Sequence, residues 1–172
     1  MPTGMLTAPS PAASASATPT VAKSLRAVRE ATTGEWIELQ PAPEGESPKK
    51  TKFDFFKKDS LFIPLDAMSL LHDSFARAVS GFALFTPQLF VAMQLGDLRT
   101  HLRDFKKMWT AIPTAAQARQ RFPYSARVQI ALTDDLWRDF QAELSFTIDE
   151  IVKLADAQIE KGGALWVLPT QH

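Results

Sequence analysis

Asp97, His101 and Asp104 are spaced so that all three can share one face of a helix, with the histidine between two carboxylates. An imidazole beside carboxylates could serve a metal site or general acid–base work. A metal would also need a second histidine or a carboxylate from another helix at matching height. His72, next to Asp73 on the preceding helical stretch, is the conceivable partner. A histidine flanked by helical carboxylates is more often a solvated pair, so neither a metal nor any other cofactor is expected. The acid pairs Asp134-Asp135 and Asp149-Glu150 are adjacent in sequence and do not face each other on a helix. The first pair is explained by the helix dipole at a helix start, the second by a solvated face.

Other chemistries lack their residues. The chain has no cysteine, which excludes disulfides, thiolate metal sites and cysteine nucleophiles, and fits a reducing compartment. Ser80-Gly81 lacks the preceding glycine of a G-x-S-x-G elbow. No phosphate-binding glycine loop, zinc finger, RNP or helix-turn-helix pattern is present. Together these absences argue against an enzyme, and no catalytic residue is assigned. Nucleic acid is not an expected partner.

At 172 residues the chain suits one domain with a sizeable core. Residues 1–20 are uncharged and rich in Ala, Ser, Thr and Pro, the composition of a disordered tail. With the short basic helix expected over 21–31, this start is compatible with a mitochondrial presequence or an export signal. A proline-rich linker covers 40–47, and between tail and linker Trp36, Ile37 and Leu39 form a short extended docking segment. Residues 1–50 are thus read as tail and linker, and 51–172 as a helical domain.

Within that domain, Asp66 is expected to cap a helix whose apolar residues run from Ala67 to Phe82 at helical spacing. Thr86-Pro87 ends it and caps the next helix, from Pro87 to Ala111. A short basic helix over 114–121 follows. Val128, Ile130 and Leu132 fit a strand or a helical turn. Thr133 then caps a long helix that Gly162-Gly163 terminates. The apolar tail ALWVLP docks as an extended piece. The expected fold is all-α, a small bundle of three or more antiparallel helices behind a disordered N-terminal tail.

The formal net charge of zero hides segregation. Residues 99–127 hold seven basic residues and only Asp104 acidic, whereas 134–160 hold eight acids against Arg138 and Lys153. Basic and acidic helices lying side by side explain this. A second basic stretch, Lys49, Lys50, Lys52, Lys57 and Lys58, encloses Phe53, Phe55 and Phe56. Lysines could hold such a segment on an anionic membrane while the aromatics insert. Residues 78–96 carry no charge, yet Pro87, two glycines and two glutamines interrupt them, so the favoured reading is a buried proline turn between helices.

The expectation is a non-enzymatic interaction or structural protein, an accessory subunit docking on a larger assembly. Trp36, Ile37, Leu39, Phe53, Phe55, Phe56 and Trp166 are the candidate partner-binding residues, because aromatics are enriched at interfaces. A homo-oligomer is compatible with this. One alternative is a peripheral membrane or granule-surface protein using the five lysines and 78–96. Another is a secreted effector. The expected location is intracellular, cytoplasmic before mitochondrial.

Overall fold

Trp36, Glu38 and Gln40 alternate with Ile37 and Leu39, and this period of two forms a strand, β1 (Trp36–Ala42). The computed structural model describes residues 24–170; the expectations for the tail over 1–20 lie outside them. Residues 24–31 form no helix, so the short basic helix expected over 21–31 is absent from its described part.

Three further strands complete an antiparallel sheet: β2 (Leu61–Pro64), β3 (Gln88–Phe90) and β4 (Ala164–Pro169), in the order β2-β1-β4-β3. Ile37 faces Ile63 on one side and Pro169 on the other, and Phe90 faces Leu165. The expected all-α bundle is therefore wrong: five helices pack with a four-stranded sheet. The reason is that each strand is short and its partner distant in sequence, so no local pattern announces the pairing. Pro41 is tolerated because β2 pairs only as far as Leu39, which leaves that side of β1 open at the proline.

The helices are α1 (Leu65–Ala78), α2 (Ala92–Ala111), α3 (Ala115–Arg121), α4 (Ala126–Gln129) and α5 (Asp134–Lys161). The caps of α5 are those expected: the Thr133 hydroxyl accepts from Leu136 N–H at 3.2 Å, and Gly162 takes the left-handed conformation at φ 68°. Gly163 follows because the chain passes close to β1; a Cβ there would meet the Ala42 carbonyl at 2.8 Å. Thr86-Pro87 does end the region after α1, but it starts no helix. Pro87 leads into β3, and α2 begins only at Ala92, where the Gln94 side chain accepts from Val91 N–H at 3.0 Å.

The inner face of the sheet presents Ile37, Leu39, Leu61, Ile63, Phe90, Leu165 and Val167 to α1, α2 and α5. Basic α2 lies along acidic α5, joined by Arg99–Asp156 at 2.6 Å and Lys106–Asp149 at 2.8 Å. Such exposed pairs fix orientation more than they stabilise. Residues 25–28 run along α5 and β2: Thr147 Oγ1 accepts from Ala27 N–H at 2.8 Å and donates to Leu25 C=O at 2.7 Å. Arg29 pairs with Glu150 at 2.7 Å. Burial pushes the Glu150 pKa up, but hydrogen bonds and charge from Arg29 and Lys153 outweigh it and hold the carboxyl below its usual range.

Candidate functional site

Of the residues singled out in the sequence, Phe53, Phe55, Phe56 and Trp166 come together on the outer face of the sheet, which the segment 43–60 covers. Trp166 is 3% exposed and takes the edge of the Phe53 ring, centroids 4.7 Å apart. Phe55 packs in the same cluster with Ala42, Ala164 and Leu168, while Phe56 stacks on Phe62 at 5.8 Å. Ile37 and Leu39 are fully buried on the opposite face. Trp36 is half-buried, with its indole N–H donating to Thr33 C=O at 2.9 Å. These side chains hold the protein together and offer little surface. The five lysines, by contrast, are exposed, and Lys50 pairs with Glu46 at 3.3 Å.

Two polar residues of β1 fasten the covering segment. Glu38 is fully buried, and its carboxylate accepts from Phe56 N–H and Lys57 N–H, both at 2.9 Å, and from Ser60 Oγ at 2.7 Å. Phe56 has a positive φ of 58°, which costs a non-glycine residue energy. The two successive N–H bonds to one carboxylate offset that cost. Gln40 Nε2 donates to Asp54 C=O at 2.6 Å.

His101 and Asp104 line a cleft of about 350 Å³ with Asp73 and Arg77 of α1, Arg121 of α3, and Tyr124. His72 is not part of it; its ring lies 5.4 Å from that of Phe82. Among the described residues no group of three or more His, Asp or Glu is placed to hold a metal ion. Partial burial, and then the charge of Asp73, raise the Tyr124 pKa above the usual value of about 10. Its stabilising contribution is thus complete at lower pH and is lost as pH rises through the raised value. Tyr124 is the sole tyrosine, so tyrosinate absorbance reads it alone. Asp73→Asn is expected to shift that titration to lower pH; an unmoved titration would show that the two groups are uncoupled.

A different surface lies at β3. This strand pairs only with β4, and among the described residues no backbone hydrogen bond reaches its other edge. Phe85 is 58% exposed, Val91 46% and Met93 80%, three of the six large apolar side chains exposed among the described residues. All lie within the uncharged run 78–96, and Leu89 of β3, between them in sequence, is half-buried against the Trp166 cluster. No family model, curated protein or solved structure matches this chain.

The sequence pointed to the run 78–96 as a surface only in the membrane alternative, without singling out Phe85, Val91 or Met93. The signal of the ledge was the uncharged run itself, which periodicity assigned to the core. Phe82 and Phe90 from the same run are indeed buried, at 8% and 0% exposed. Among the described residues no helix is long and apolar enough to cross a membrane.

Proposed function

We propose that the protein is a non-enzymatic interaction protein, a subunit that docks on a larger assembly through the ledge formed by the β3 edge with Phe85, Val91 and Met93. One observation carries this reading: an unpaired strand edge coincides with exposed large apolar side chains in a stretch free of charge. Exposed edges are normally blunted by charge, bulges or covering segments, because they invite another strand. Here Pro87 stands before the strand, but no charged residue guards it. An added strand would find main-chain hydrogen-bonding groups on the edge and apolar contacts on either side.

Phe85→Asp with Met93→Glu tests the reading, because both side chains project into solvent and the fold should survive unchanged. The native chain is expected to retain a defined partner in affinity capture, and the double variant to lose it by at least about tenfold, with identical circular dichroism and thermal midpoint. Equal capture of the same partner by both chains would contradict docking at the ledge.

A further inference from the structure

We infer that the cleft between α1, α2 and α3 binds a small zwitterion with an apolar side chain, of the class of a free hydrophobic amino acid. The inference does not depend on docking at β3, since no residue lining the cleft lies within 78–96. Three observations carry it.

The first is a buried hydroxyl with nothing to bond. Ser74 lines the cleft yet is only 5% exposed, and its side chain makes no hydrogen bond among the described residues. A helical serine can return its hydroxyl to the carbonyl four residues back, as Ser69 does to Leu65 C=O at 2.9 Å. Ser74 makes no such bond to Leu70. A buried hydroxyl without a partner is costly, and a polar ligand group in the cleft would satisfy it.

The second is the set of charges around the opening. Arg77 closes α1 and Arg121 closes α3, so two helix ends bring guanidinium groups to one cleft. Neither has an ion pair or hydrogen bond among the described residues, and neither has Asp104 of α2. Elsewhere on α2, Arg99, Arg103 and Lys106 all pair with acids of α5. The other carboxylate of the cleft, Asp73, faces His72 at 3.7 Å. Two free guanidiniums suit one ligand carboxylate, which accepts their paired N–H donors. Asp104 is left to accept from a ligand ammonium. A simple anion would be opposed by Asp104, and a simple cation would meet two arginines.

The third is the apolar wall. The rings of Phe105 and Phe122 lie 6.2 Å apart, and Tyr124 meets Phe122 edge-on, also at 6.2 Å. Leu70 and Met108 extend this side of the cleft. A volume of about 350 Å³, mostly apolar lining and a few placed polar groups are the features of small-molecule sites. A hydrophobic amino acid carries the carboxylate, the ammonium and the apolar side chain on one carbon framework.

The test is isothermal titration calorimetry of the full chain with L-phenylalanine, L-leucine and L-methionine. At least one is expected to bind saturably, with one site per chain. For the best of them, the analogue lacking the ammonium and the analogue lacking the carboxylate should each bind at least about tenfold more weakly. For phenylalanine these are 3-phenylpropionate and phenethylamine. Arg121→Gln and Asp104→Asn change exposed side chains, so circular dichroism should not move, while each weakens binding by about tenfold. Lys57→Gln, on the segment covering the sheet, should bind as the native chain does. No saturable binding of any of the three, binding indifferent to both cleft variants, or an analogue that binds equally well would each overturn the assignment. Phe85→Asp with Met93→Glu should leave this binding unchanged, so a failure of the cleft and a failure of docking at β3 are read separately.

Discussion

Trp137→Ala is expected to destabilise the protein by about 3–5 kcal/mol, the range for removing a large aromatic from a core. Trp137 is fully buried, and its ring meets that of Trp109 at 4.6 Å with an interplanar angle of 66°. It also finishes a helix. The last carbonyls of α2 have no partner within the helix. Trp137 Nε1 donates to Ile112 C=O at 2.9 Å, while Gln141 Nε2 donates to Trp109 C=O at 3.0 Å and Ile112 C=O at 2.8 Å. Alanine would leave a cavity and weaken the seam that joins α2 to α5. For a chain of this size the thermal midpoint should fall by about 10 °C. Trp137→Phe keeps most of the ring but loses the donor, and should cost about 1–2 kcal/mol. Urea unfolding monitored by far-ultraviolet circular dichroism measures both. A loss below about 1 kcal/mol for alanine would mean that the α2–α5 seam is not central to the core.

Glu38→Ala is expected to release the segment 43–60 at a cost of about 3 kcal/mol, because it strips the acceptor from three donors at once. Local opening should then exceed global unfolding. Lys49, Lys50, Lys52, Lys57 and Lys58 all lie on that segment and are exposed, so trypsin reports its opening directly. Cleavage between Lys49 and Lys58 should accelerate on the order of 100-fold, since each 1.4 kcal/mol is a factor of ten. Glu38→Gln retains one acceptor oxygen and should fall between. Unchanged cleavage in Glu38→Ala would show that the phenylalanines alone hold the segment down.

These two residues also illustrate what could be read in the sequence. Trp137 lies on a long helix whose caps, Thr133 and Gly162, are both explicit, but helical spacing reads the apolar stripe through its neighbour Leu136, which is half-buried while Trp137 is fully buried. The segregated charges pointed to the lateral pairing of α2 with α5 that Arg99–Asp156 and Lys106–Asp149 now display. Glu38 and Gln40, by contrast, resemble the solvent side of an exposed strand next to a proline-rich linker. Nothing local tells that a later segment will fold over them and use their polar atoms as anchors. β1 and β4 pair across nearly the whole chain, so ALWVLP was legible as extended but not as an inner strand. β3 has only three residues, too few for a period of two to stand out inside an apolar run.

The candidate surface was hidden for a related reason. Composition located the uncharged run 78–96, but it could not sort that run into the side that packs and the side that does not. Phe82 and Phe90 close the core between α1 and the sheet, whereas Phe85 and Met93 are left outside. The aromatics that drew attention first, Phe53, Phe56 and Trp166, are spent on the far face of the sheet. Residue type marks side chains able to make contacts, but which of them stay at the surface depends on which segments meet.

Site-specific photo-crosslinking is the most direct test of where this protein makes its contacts. A photoreactive phenylalanine placed at Met93 on the ledge and, separately, at Lys57 on the covering segment compares the two exposed surfaces under identical conditions. Covalent adducts are expected from position 93 and not from position 57, and they should disappear when Phe85→Asp is added. Adducts from position 57 with none from position 93 would contradict docking at the β3 edge and move the interaction surface to the lysine-bearing segment.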